Sequence, residues 1–128
     1  MSPGAYQPFD PAERPGGKLP ARPFYRVLVH RRYHDLWSQL VARVGLANAQ
    51  QFYDHVANTP GQAPRVGRST FLKGKAAAPR GPGFSATIHY EISGAGRIDY
   101  QYCNAYTGGA EGDPHPVVFI LTINLSSH

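Results

Sequence analysis

From Ala86 to Tyr102 the chain reads ATIHYEISGAGRIDYQY. Ile88, Tyr90 and Ile92 alternate with Thr87, His89 and Glu91. Beyond a glycine-rich turn, Ile98, Tyr100 and Tyr102 alternate with Asp99, Gln101 and Cys103. A period of two predicts a β-hairpin with one apolar face. Upstream the period changes. Tyr33, Leu36, Trp37, Leu40, Val41 and Val44 form an apolar stripe at helical spacing, opposite Arg32, Asp35, Gln39 and Arg43. Gly45 is a natural stop. Ala49, Phe52, Tyr53 and Val56 repeat the stripe, with Asn48 as the expected N-cap and Pro60–Gly61 as the terminator.

Two further stretches read as strands. Phe24 to His30, FYRVLVH, is short and β-prone, and TFLKGK (residues 70–75) has room for a brief strand. Val117 to Ser126, VVFILTINLS, is almost continuously apolar, which predicts a central strand covered on both faces. The order is strand, helix, helix, then three or four strands. It predicts an α+β fold of two layers: an N-terminal helical hairpin packed on a mostly antiparallel sheet of about four strands.

Composition sets the boundaries. The chain has 128 residues, enough for one domain with its own core. Its 14 glycines and 12 prolines concentrate in the first 23 residues and in residues 59–83. Residues 1–22 show no periodicity and are expected to be a flexible extension, with a single domain over 23–128. Residues 59–83 form a long connection containing Arg65, Arg68, Lys73, Lys75 and Arg80 and no acid. Connections of that length tend to be functional or mobile.

Net charge is +5, which favours an anionic partner such as nucleic acid or an acidic protein. The single cysteine, Cys103, excludes an intrachain disulfide and falls in a strand as a small apolar filler. No apolar run approaches the roughly 20 residues of a membrane span, and the first residues lack the apolar centre of a secretory leader. A cytoplasmic protein without membrane association is expected.

The six histidines come without a cysteine pair or an HExxH motif, and the GAG at Gly94–Gly96 sits in a hairpin turn rather than between a strand and a helix. No metal and no cofactor are expected. The basic connection and the tyrosines at 90, 100, 102 and 106 suit nucleic acid: the cations for phosphates, and the rings that do not face the core for base stacking.

Helices, a basic loop ending in FLKGK, an amphipathic strand, a tight turn opening into Arg97-Ile98-Asp99-Tyr100, and a closing apolar strand with a histidine near its end together resemble the RelE/ParE superfamily of bacterial toxins. The resemblance covers residues 24–128. The N-terminal extension, the NAYTGGAEGDPHP segment and a final TINLSSH without basic residues depart from the family pattern.

The resemblance implies the toxin of a type II toxin–antitoxin system, in one of two activities. RelE- and YoeB-like members are metal-independent endoribonucleases that cleave ribosome-bound mRNA. ParE-like members inhibit DNA gyrase without cleaving anything. The first is the leading expectation, with an acidic antitoxin as protein partner. A basic nucleic-acid-binding or interaction domain is the third possibility. On the leading reading, Arg97 matches the strand arginine that stabilises the phosphorane, and His128 matches a C-terminal histidine acting as general acid. His89 is a candidate base or acid. Arg65, Arg68, Lys73, Lys75, Arg80 and Tyr100 would bind RNA. YoeB-like members carry a catalytic Glu before the LKG-like element. This loop has none, which leaves Glu91 as the nearest substitute.

Overall fold

The computed structural model describes residues 9–17, 24–61, 68–71, 83–92, 96–106 and 115–125. Six strands form one mixed sheet: β1 (Phe9–Pro11), β2 (Arg26–His30), β3 (Arg68–Phe71), β4 (Ile88–Glu91), β5 (Arg97–Tyr106) and β6 (His115–Asn124). Their spatial order is β1-β2-β6-β5-β4-β3. Neighbours are antiparallel except β2 and β6, which run parallel. The α+β class holds. The expected sheet of about four strands is corrected to five strands of four residues or more, with three-residue β1 added at one edge.

β6 takes the place its composition demands. Val117, Val118 and Ile120 are fully buried and Phe119 nearly so, because both faces of this strand are covered. On one face, Val118, Ile120 and Ile123 join Val27, Val29, Ile88, Tyr90, Ile98 and Tyr100 beneath the helices. On the other, Val117 and Phe119 join Phe9, Leu28 and Cys103 in a smaller cluster. Cys103 is the buried apolar filler expected of it.

The expected N-terminal helical hairpin is corrected. Two strands precede the helices, and the first stripe folds as a 3₁₀ turn at Arg31–Tyr33, then α1 (His34–Ser38) and α2 (Leu40–Val44). The break has a local cause. The Ser38 hydroxyl donates back to the His34 carbonyl, a bond that bends helices. The next amide, Gln39 N–H, is shared between the carbonyls of Asp35 and Leu36. Trp37 and Leu40 are buried, whereas Val41, counted in the stripe, is exposed. Gly45, at φ 92°, occupies a region that side chains disfavour and turns the chain directly into α3 (Leu46–Asn58). Asn48 is therefore not an N-cap. It lies in the first turn of α3 and donates to the Val44 carbonyl at 2.8 Å. Ala49, Phe52, Tyr53 and Val56 are buried as the spacing predicts.

Part of the stretch expected to be a flexible extension is structured instead. After β1 pairs with β2, the Ala12 amide donates to the Val27 carbonyl. The Arg14 guanidinium then grips both carboxylate oxygens of Asp54 on α3, at 2.8 and 3.0 Å. The Trp37 indole N–H donates to the Glu13 carbonyl and the Gln50 amide to the Pro15 carbonyl. Residues 9–17 thus strap one sheet edge to the helices. Residues 1–8 and 18–22 lie outside the described residues.

Burial has a measurable consequence for the tyrosines. Tyr100 is fully buried and its hydroxyl donates to the Pro60 carbonyl at 2.6 Å. Removal from water pushes its ionisation well above the ordinary phenol range, and does the same to Tyr25, Tyr53 and Tyr90. A phenol whose folded pKa is raised contributes stability fully below the unfolded value of about 10 and loses it as pH climbs past that value. Alkaline titration followed by phenolate absorbance should show these four of the eight tyrosines ionising above the ordinary phenol range. Eight reversible, free-phenol titrations with the fold retained would contradict the packing.

Candidate functional site

The outer face of the sheet, away from the helices, is divided. At one end Phe9 stacks on Phe119 with ring centres 4.4 Å apart, and Phe84 approaches Phe119 at 5.3 Å. At the other end the same face becomes polar. Strand register explains the change. His89 lies opposite Asp99 and Glu91 opposite Arg97 across β4 and β5. Arg97 and Asp99 lie in turn opposite Asn124 and Thr122 on β6. Paired residues share a face, so these six positions form two rows across three strands. Between the polar and apolar ends, Gln101 is buried and donates to the Thr87 hydroxyl at 2.9 Å.

Two side-chain pairs occupy the polar end. His89 Nδ1 meets Asp99 Oδ1 at 2.5 Å, and the Thr122 hydroxyl donates to Asp99 Oδ2 at 3.1 Å. Arg97 Nη2 lies 3.4 Å from Glu91 Oε1, and Arg97 Nη1 donates to the Gly96 carbonyl. Side-chain exposures of the four residues run from 23% to 34%. They are open enough to reach a ligand and sheltered enough for their charges to count for more than in bulk water.

Of the residues singled out in the sequence, His89, Glu91 and Arg97 share this surface. Arg68 opens β3, in register opposite Glu91. Tyr100 is corrected: it faces the helices, fully buried, and has no surface to offer RNA. Tyr90 is likewise a core ring, while Tyr102 and Tyr106 are half-buried against the two apolar clusters. Arg65, Lys73, Lys75, Arg80 and His128 lie outside the described residues.

Asp99 and Thr122 were missed. Asp99 had a signal: a hairpin that sets Glu91 opposite Arg97 sets His89 opposite Asp99, and opposite charges favour such positions. Thr122 had none, because its placement depends on an irregularity in β6. The register steps from Thr122 opposite Asp99 to Ile120 opposite Tyr100, so Leu121 has no opposite residue.

Comparison with family models, curated proteins and solved structures finds no match.

The site must therefore be read from its own chemistry. Among the described residues no three His, Cys, Asp or Glu side chains are placed to hold a metal ion, and no helix is long and apolar enough to cross a membrane. What the surface brings together is an imidazole, a guanidinium and a carboxylate on adjoining positions of two paired strands. These groups suit proton transfer and the holding of a phosphate.

Proposed function

We propose that this chain is a toxin of the RelE/ParE kind acting as a metal-independent endoribonuclease on ribosome-bound mRNA, and that an acidic antitoxin neutralises it. The observation that carries the reading is the placement of His89, Glu91 and Arg97 on one partly sheltered surface. Cleavage by a neighbouring 2′-OH needs a base for the hydroxyl proton, an acid for the departing 5′-oxygen and a cation for the phosphorane. On adjacent strands, opposite same-face positions lie about 5 Å apart and diagonal ones about 7–8 Å, the scale of one ribose–phosphate unit.

In this reading His89 accepts the 2′-OH proton. Arg97, with fixed donors and a permanent charge, holds the non-bridging phosphate oxygens. Glu91 pairs with Arg97 and orients it, and the departing 5′-oxygen takes its proton from water. The net charge of +5 and the acid-free run from Arg65 to Arg80 supply attraction to the RNA backbone and a surface for an acidic antitoxin.

Inducible expression in a bacterial host, followed by primer extension on abundant transcripts, tests the proposal. Discrete cuts within translated regions are the expected result, and purified protein should cleave ribosome-bound mRNA in the presence of a chelator. Growth arrest with intact transcripts would overturn the nuclease reading and favour a protein target such as gyrase. Unimpaired growth with uncut RNA would overturn the toxin reading altogether.

A further inference from the structure

We infer that Asp99 and Thr122 are positioning residues that fix the tautomer of His89, and that the bulge at Leu121 is the device that brings Thr122 to Asp99. The catalytic part of this inference rests on the reading of His89 as a proton acceptor. The tautomer does not.

The argument starts from the inventory of donors. An ionised carboxylate only accepts hydrogen bonds. Asp99 Oδ1 lies 2.5 Å from His89 Nδ1, so the neutral imidazole carries its proton on Nδ1 and donates it to Asp99. The lone pair is then on Nε2, the ring nitrogen that Asp99 does not engage. A histidine held in this way is ready to accept a proton at Nε2.

A carboxylate held through one oxygen can still swing. Asp99 cannot, because Oδ2 accepts from the Thr122 hydroxyl at 3.1 Å. Threonine is β-branched and stiff at χ1, which makes it a firm anchor. The bulge supplies it. Val117 and Phe119 face outward and Val118 and Ile120 face the helices. Unbroken alternation would then put Leu121 outward and Thr122 into the helix-side core. The extra residue at Leu121 shifts the parity, so Thr122 and Asn124 face outward while Ile123 and Leu125 stay buried. One irregularity thereby keeps the core apolar and furnishes Asp99 with its second partner.

The test combines histidine-selective ¹⁵N NMR with kinetics on the full chain. At about pH 8.5, above the ordinary imidazole range, wild-type His89 should show the Nδ1–H tautomer. In Asp99→Asn the amide can present a donor to Nδ1, and the Nδ1–H signature should be lost. Asp99→Asn should lower kcat by up to about 10⁴-fold, the loss seen when the carboxylate orienting a catalytic imidazole becomes an amide, with little change in KM. Thr122→Val should lower kcat about five- to tenfold, the worth of one hydrogen bond, and Thr122→Ser should restore most of it. An Nε2–H tautomer in the wild type would overturn the inference. So would an unchanged tautomer in Asp99→Asn, or wild-type kcat in both Asp99→Asn and Thr122→Val. A wild type that cleaves no RNA would overturn the ribonuclease reading and the catalytic consequence, while the tautomer would still decide whether Asp99 orients His89.

Discussion

His89→Ala is expected to lower RNA cleavage by about 10²- to 10⁴-fold, the usual contribution of a positioned proton-transfer group, with the fold intact. The side chain is partly exposed on the outer face and contributes nothing to the core beneath the helices. Its loss leaves Asp99 still bonded to Thr122 rather than stranded. Circular dichroism and the thermal midpoint should therefore stay near wild type while single-turnover cleavage collapses. Arg97→Ala should act in the same direction, by about 10²- to 10³-fold if it stabilises developing charge. If both variants cleave at the wild-type rate, the assignment of the site to this face fails, whatever nuclease activity the protein has.

Phe52→Ala is expected to destabilise the domain by about 3–5 kcal/mol through lost burial and the cavity left behind. Phe52 is fully buried at the junction of α3 with the sheet. Its ring centre lies 4.9 Å from that of Tyr90, 6.1 Å from Tyr100 and 6.2 Å from Trp37. Those partners come from β4, β5 and α1, so no single element can relax to fill the space. Small domains have about 5–15 kcal/mol in total, so a drop in melting temperature on the order of 10–20 °C should follow. Calorimetry decides the matter: a shift of only a few degrees would mean that the helices pack on the sheet in some other way.

How much of this was legible in the sequence varied with the physical origin of each element. Alternation of side chains specifies strands directly, so the hairpin, its buried Ile98 and its polar His89 and Glu91 could be read off, although Tyr100, on the same apolar row as Ile98, is expected to bind RNA and is buried instead. The apolar run that became β6 specified a strand covered on both faces for the same reason. α3 followed from its stripe. The strap over residues 9–17 could not be read that way. It has no period of its own and is held by Trp37, Gln50 and Asp54, which reach it from distant helices. The break at Gln39 depends on a single hydroxyl, and the apolar spacing runs through it undisturbed. At the polar end of the sheet, local alternation placed three of the charged residues. The Thr122–Asp99 bond required knowing how two strands far apart in sequence step past one another.

The parallel pairing of β2 with β6 has a consequence for how the molecule is made. Val27 pairs with Val118, and the strand most deeply enclosed in the sheet is the last of the six among the described residues. The hairpin of β4 and β5 can form early from local contacts, but the sheet cannot close until β6 has been synthesised and inserted between β2 and β5. Such long-range closure is expected to make folding slower than that of an all-helical domain of similar size. The polar surface around His89 and Asp99 is incomplete for as long as β6 is missing, because Thr122 and Asn124 arrive with it.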